Sequence, residues 1–211
     1  MSEPSLRRYT NLSATLHILQ NRCLTLLSPS SWDDRNDAFF MAEFQTRSAV
    51  KSVLALCFAQ APQTYHHWRV FSAGPGGVCL EFDEAALRKS VKRDDRFTCR
   101  SVKYRTIKYA QMKGLPTADL PFVKRRPYKD EHEFRILFVD EDEIKEFARL
   151  EISLDWIKRI TLSPWMPEPL AETVKSTLKC IRGCEKLKVH RSTLVDNERW
   201  KRVANPNLKY N

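Results

Sequence analysis

The chain has 211 residues, with 36 Lys+Arg against 26 Asp+Glu for a formal net charge of +10, and 42% hydrophobic and 29% charged side chains. That is a globular mixture, long enough for one core to bury roughly 70% of the unfolded surface, which excludes a disordered or staple-dependent chain. Five Gly against eleven Pro exclude a collagen-like design, no run approaches about 18 apolar residues, and MSEPSLRRYT lacks the apolar stretch of a signal peptide, so a cytoplasmic protein without a membrane span is expected.

In chain order, RRYT opens as a short strand, and Asn11 caps a helix with Leu12, Leu16 and Leu19 at helical spacing. LTLLS reads as a strand ended by the turn-rich SPSSWDDRND; AFFMAEFQTRSAVK reads as a helix and SVLALCFAQ as a buried strand. TYHHWRVF is a short aromatic helix or loop, GPGG a turn, and GVCLEF a strand followed by a helix that Asp83 caps. Basic residues at alternate positions make TCRSVKYRTIKY a strand, and MKGLPTADLPFVKRRP is irregular. FRILFV, ARLEIS and IKRITLS are later strands, PEPLAETVKSTLKCI is a helix with Pro in its first turn, and LKVHRS is a last strand. Irregular alternation with short β–β connections indicates one mixed α+β domain over residues 1–195, with residues 196–211 as a basic, mobile tail.

The charge is segregated. Residues 88–126 hold 13 basic and 3 acidic side chains and residues 179–211 hold 9 and 3, whereas residues 1–87 and 127–178 are net acidic. Arg93, Arg96, Arg100, Lys103 and Arg105 are the expected contributors to a face for DNA, RNA or another polyanion; a solvated surface is the alternative. The six cysteines form no CxxC pair and read as reduced thiols, and Cys180, Cys184 and His190 lack a fourth partner for zinc. No metal is expected, and oligomeric state is not legible.

Walker, GxGxxG, HExxH and GxSxG motifs are absent. The most chemical stretch is YKDEHEFRILFV, where Glu131 and Glu133 stand two apart at a strand entrance and so face one side, raising at least one pKa. Arg7, Arg8, Tyr9 and Thr10 on the first strand form a second cluster, and Tyr65, His66, His67 and Trp68 a third; Trp68 reads as a core anchor, and either histidine as a half-buried residue in preference to a base. Asp33, Asp34 and Asp37 suit turn capping better than a metal.

Together RRYTNL, LTLLSPSSWDDRND, LCFAQ, HHW with GVCLEFD, and EHEFRI resemble domain-of-unknown-function family 2971, found in bacteria and phages, over most of residues 6–195; the family's Phe-Asn-Asp-Pro turn is altered here to Trp32-Asp33-Asp34-Arg35. The order of RYT, FAQAPQTY, EFRILFV and ISLDWIKRITL is also similar to that of the DNA-modifying ADP-ribosyltransferase toxins. That resemblance implies a split-sheet core and NAD as substrate. Arg8 and Thr10 would then bind NAD, Tyr65 would lie near the nicotinamide, and Glu133 would be the catalytic carboxylate with Glu131 its E-x-E partner. The acceptor would be a nucleic acid or a protein, in a bacterial or phage conflict. A non-catalytic nucleic-acid-binding module is the alternative, in which Arg8, Glu131 and Glu133 form a structural ion cluster. A metal-dependent nuclease using Asp33, Asp37, Glu81 and Glu133 is a third reading.

Overall fold

The computed structural model describes residues 4–72 and 74–205. The strand β1 (Ser5–Asn11) leads through the Asn11 cap, whose side chain accepts from the Ala14 amide at 2.8 Å, into α1 (Leu12–Asn21) and β2 (Cys23–Leu27). Asp34 caps α2 (Arg35–Ser48), which is followed by β3 (Ser52–Ala59), α3 (Tyr65–Phe71), β4 (Gly77–Asp83) and α4 (Glu84–Val91). Next come β5 (Phe97–Ser101), β6 (Lys103–Arg105), α5 (Ile107–Lys113), β7 (Val123–Arg125) and β8 (Glu133–Asp140). The chain continues through β9 (Phe147–Glu151), β10 (Ile157–Leu162), α6 (Glu168–Lys179), β11 (Val189–Arg191) and α7 (Glu198–Ala204). The fold is mixed α+β.

Two elements differ from expectation. The basic strand is broken: β5 stops at Ser101, β6 takes three residues, and Thr106 then caps a helix by accepting from the Tyr109 amide at 3.1 Å. The first part of the tail is the helix α7, and residues 206–211 lie outside the described residues.

Among the described residues the main sheet has nine strands, in which β11-β10-β4-β1 form one part and β3-β8-β5 with β2-β9 the other. β1 pairs with β4 over its whole length, and β3 with β8 over eight residues, but β1 meets β3 at one register pair only, Arg7 opposite Ala59. Beyond that pair the strands part, and the gap becomes the site.

β3 and β8 are nearly continuous apolar runs because both faces of this pair are covered. Leu54, Leu56, Phe58, Phe134, Ile136 and Phe138 enter the main core, while Val53, Ala55 and Leu137 pack on the other face beneath Met41 of α2 and Phe122. Side chains alternate along a strand, and directly opposed residues share a face. Glu133, Arg135 and Cys57, which is opposite Arg135, therefore stand on the α2 side in line with Ala55 and Leu137. Tyr9, Ala59, Trp68 and Cys79 make a third small cluster that anchors α3.

Candidate active site

A cleft of about 640 Å³ opens where β1 and β3 separate, lined by Arg8, Thr10, Trp32, Asp37, Cys57, Phe71, Lys124, Tyr128, Glu131 and Glu133 among others. The structure thus brings together Arg8, Thr10, Glu131 and Glu133. Arg8 donates from Nη1 to the Cys57 carbonyl at 3.0 Å, which directs its guanidinium into the gap between the strands. Burial lowers its pKa, with Cys57 and Glu133 opposing, and it remains a cation with several N–H donors.

Glu133 is 6% exposed and held from two sides. Arg135 Nε donates to its Oε1 at 2.7 Å and Lys124 Nζ to its Oε2 at 3.1 Å, while its backbone N–H donates to the Tyr104 hydroxyl at 2.8 Å. Burial pushes this carboxyl up, but the Arg135 and Lys124 charges outweigh burial and bring it down to about 2, so it is ionised at neutral pH.

Arg135 is fully buried. Beyond Glu133 it grips Asp37 with two bonds of 3.0 and 2.7 Å, donates to the Pro121 carbonyl at 2.6 Å, and stacks 4.8 Å from the Trp32 ring centroid. A buried guanidinium is tolerated only when paired in this way.

Lys124 is the second hub. Its ammonium meets Glu131 at 2.6 Å, Glu133 at 3.1 Å and Asp37 at 3.6 Å, above the Tyr128 ring. Burial would lower its pKa, but the Glu133, Asp37 and Glu131 charges raise it. Burial raises Glu131 and Asp37 despite their cation partners, whereas the Arg135 and Lys124 charges hold Glu133 down, so the two glutamates are pushed in opposite directions.

The glutamates converge by a route other than the strand pleat expected from sequence. Glu131 ends a 3₁₀ turn, Arg126–Glu131, and His132 adopts a left-handed conformation with φ 43°, so the chain reverses between them and both carboxylates reach one ammonium.

Tyr65 is not among the residues lining the cleft. It is 52% exposed, its ring meets Trp165 edge-on at 5.8 Å, and the Arg69 guanidinium lies over both rings. The helix that carries it, α3, presents Val70 and Phe71 to the cleft at its other end. His67 is a satisfied core residue: Nδ1 meets the Thr64 hydroxyl at 2.6 Å and Nε2 the Glu131 carbonyl at 3.3 Å, and burial lowers its pKa.

Glu81 also lies away from the cleft, paired with Arg7 at 3.0 Å and with Arg159. The four carboxylates of the nuclease reading are therefore not gathered, and the oxygens of Asp37 and Glu133 are already engaged by Arg135 and Lys124.

Of the expected polyanion contacts, Arg96 pairs with Asp94 at 2.8 Å, Arg100 with Asp119 at 3.1 Å and Lys103 with Asp119 at 3.8 Å, while Arg93 is exposed and Arg105 stacks on Tyr109. Lys124, Arg135 and Phe71 were not singled out as a site from sequence, and Asp37 entered only as a turn-capping residue or a nuclease ligand. The available signal for Arg135 was a charge inside an apolar strand run, two residues from Glu133.

No protein-family model matches this sequence, so the likeness to family 2971 rests on the segments quoted above; no curated protein matches it either. Among solved structures, Thermus sp. 2.9 DarT in complex with carba-NAD+ is similar at TM-score 0.45 and 13% identity, over 91% of this chain and 97% of that one. The same figures hold for Thermus sp. 2.9 DarT in complex with ADP-ribosylated ssDNA, and its complex with NAD+ gives 0.44, 12%, 91% and 96%.

Proposed function

We propose that this chain is an NAD-consuming ADP-ribosyltransferase acting on a nucleic-acid acceptor. The observation that carries the reading is that Arg8 and an ionised Glu133, 125 positions apart in sequence, face one cleft at the parting of β1 and β3. Opposite sides of the sheet would have ended it.

In this reading the Arg8 guanidinium pairs the pyrophosphate, and Thr10 lines the same wall. Glu133, held as a fixed anion, hydrogen-bonds a ribose hydroxyl and stabilises the oxocarbenium-like charge that develops as the bond from ribose C1′ to the nicotinamide nitrogen breaks. The bonding pair leaves with nicotinamide. A lone pair of the acceptor then attacks C1′, and the acceptor's proton passes to Glu131, the carboxylate that burial has made the better base. Phe71, at the cleft, takes the ring-holding role that the resemblance gave to Tyr65.

A second reading, a non-catalytic nucleic-acid-binding module, is favoured by one observation: both oxygens of Glu133 are engaged by cations, as a purely structural ion cluster would require.

The two separate on incubation of the full chain with labelled NAD and single-stranded DNA, RNA or cell lysate. Label transfer by the wild type that falls at least 100-fold in Glu133→Gln supports the transferase. No transfer by either, with no NAD binding in saturation-transfer NMR, overturns it.

A further inference from the structure

Glu133 enters β8 with an irregular hydrogen-bond pattern. In an antiparallel ladder, two opposed residues of a hydrogen-bonded pair exchange both backbone bonds. Val102, just past β5, donates its N–H to the Glu133 carbonyl at 2.8 Å, but the return bond goes elsewhere: the Glu133 N–H donates to the Tyr104 hydroxyl at 2.8 Å. A side chain thus stands in for the carbonyl that a continuing strand would have offered.

The strand that carries Tyr104, β6, has left the main sheet to pair with β7, and the register sets Tyr104 directly opposite Lys124. This ribbon has three residues in each strand, too few to be stable by itself. Its central pair delivers two contacts to one residue. The Tyr104 hydroxyl holds the Glu133 backbone, and the Lys124 ammonium holds the Glu133 carboxylate at 3.1 Å.

The turn ahead of Glu133 needs such a bracket. His132 is left-handed, a conformation that a Cβ disfavours and that persists only where the surroundings over-determine it. His67 Nε2 meets the Glu131 carbonyl at 3.3 Å and the Gln60 N–H donates to the His132 carbonyl at 2.8 Å, which leaves the Glu133 end of the turn to Val102 and Tyr104. Burial raises the Tyr104 pKa, so its hydroxyl is neutral and adds no charge to the cluster of Glu133, Glu131, Asp37, Lys124 and Arg135.

We propose that Tyr104 is a positioning residue of the transferase site: it fixes the peptide that enters Glu133, so that the carboxylate meets Lys124 and Arg135 and faces the cleft. Tyr104 is not among the residues lining the cleft, so it acts through Glu133. The role in turnover rests on the transferase reading; the hold on Glu133 is measured apart from it.

The test compares the wild type, Tyr104→Phe and the control Tyr109→Phe, an exposed tyrosine of α5, all as full chains. Phe keeps the ring and removes the acceptor, and melting curves report whether the fold is retained. With saturating labelled NAD and cell lysate, Tyr104→Phe is expected to transfer label about tenfold more slowly or worse, yet to bind NAD within about twofold of the wild type, because a misplaced carboxylate costs rate and spares ground-state binding. Tyr109→Phe is expected to stay within about twofold in both. Incorporating 3-fluorotyrosine at position 104 keeps the shape and weakens the acceptor; it is expected to slow transfer about twofold or more, and it carries the test where Tyr104→Phe does not fold. A folded Tyr104→Phe that transfers label like the wild type, a loss of NAD binding in step with the rate, or an equal loss in Tyr109→Phe would overturn the assignment. Carbon-detected titration of the Glu133 carboxyl reads the bracket without turnover: in Tyr104→Phe its midpoint is expected to rise by about one pH unit or more, a tenfold change in proton affinity. No transfer by the wild type, with that rise intact, would remove the transferase reading and leave the bracket standing. An unchanged midpoint would overturn the bracket itself.

Discussion

Replacing Arg135 by Met removes the one group that joins Glu133, Asp37 and the Pro121 carbonyl, while keeping much of the side chain's length. Removing one partner of a buried ion cluster costs about 3–5 kcal/mol, because the remaining charges stay buried without compensation. For a domain of this size each kcal/mol moves the melting temperature by roughly 2–4 °C, so Arg135→Met is expected to melt about 6–20 °C lower. Asp37→Asn weakens the same cluster, so the double variant should lose less than the two single losses combined, by about 1–3 kcal/mol. The pH dependence supplies an independent sign. Glu133 falls from an ordinary 4.5 to about 2 on folding, with burial overruled by Arg135 and Lys124. Its contribution to stability is therefore complete above about pH 4.5 and is lost as pH falls toward 2. Without Arg135 the folded pKa rises, and this acid-side loss shrinks or reverses. Calorimetric melts of the wild type, both single variants and the double variant between pH 3 and pH 7 measure all three quantities. A drop under about 3 °C for Arg135→Met, or strictly additive losses, would refute the claim that this cluster holds the site together.

Phe71→Ala should weaken NAD binding fivefold or more while Tyr65→Ala changes it less than twofold, as read by saturation-transfer NMR, since Phe71 alone of the two lines the cleft. Asp34→Ala should cost about 1 kcal/mol in urea unfolding, because its side chain accepts from the Asn36 and Asp37 amides at the start of α2. Lys124→Met should raise the Glu131 carboxyl further, measured by carbon-detected pH titration, since the ammonium at 2.6 Å is what opposes its burial.

Local signals in the sequence reached the elements that local chemistry decides. Asn11 and Asp83 cap the helices they precede, and the apolar runs at 52–59 and 133–140 are the paired central strands. The basic segment was harder to read. Lys103 to Tyr109 alternates as a strand does, but pairing with β8 ends at Ser101 opposite Phe134, and beyond it the Thr106 hydroxyl offers a better start to a helix than any strand edge offers to a ladder. At the site, Arg8 and Glu133 were legible as charges bordering apolar strands. Tyr65 and Phe71 share one short helix, and which end of it faces the cleft depends on Trp68 and His67 packing against Tyr9, contacts that no local pattern encodes. Asp37 was legible only as a member of an acidic turn or a nuclease ligand, because its partners Lys124 and Arg135 lie 87 and 98 positions away, and Lys124 only as part of a basic run, although Glu131 and Glu133 lie seven and nine residues from it.

The grip of Arg135 on Asp37 spans 98 positions and that of Lys124 on Asp37 spans 87. During synthesis from the N-terminus, Arg8 and Asp37 are in place long before the strand that carries Glu133 and Arg135 has emerged. Closing so long a loop is slow, so the cleft is among the last parts of the domain to acquire its native geometry. A nascent chain that stops short of β8 carries Arg8, Asp37, Lys124 and Glu131 but neither Glu133 nor Arg135, so the ion cluster that closes the pocket cannot yet form.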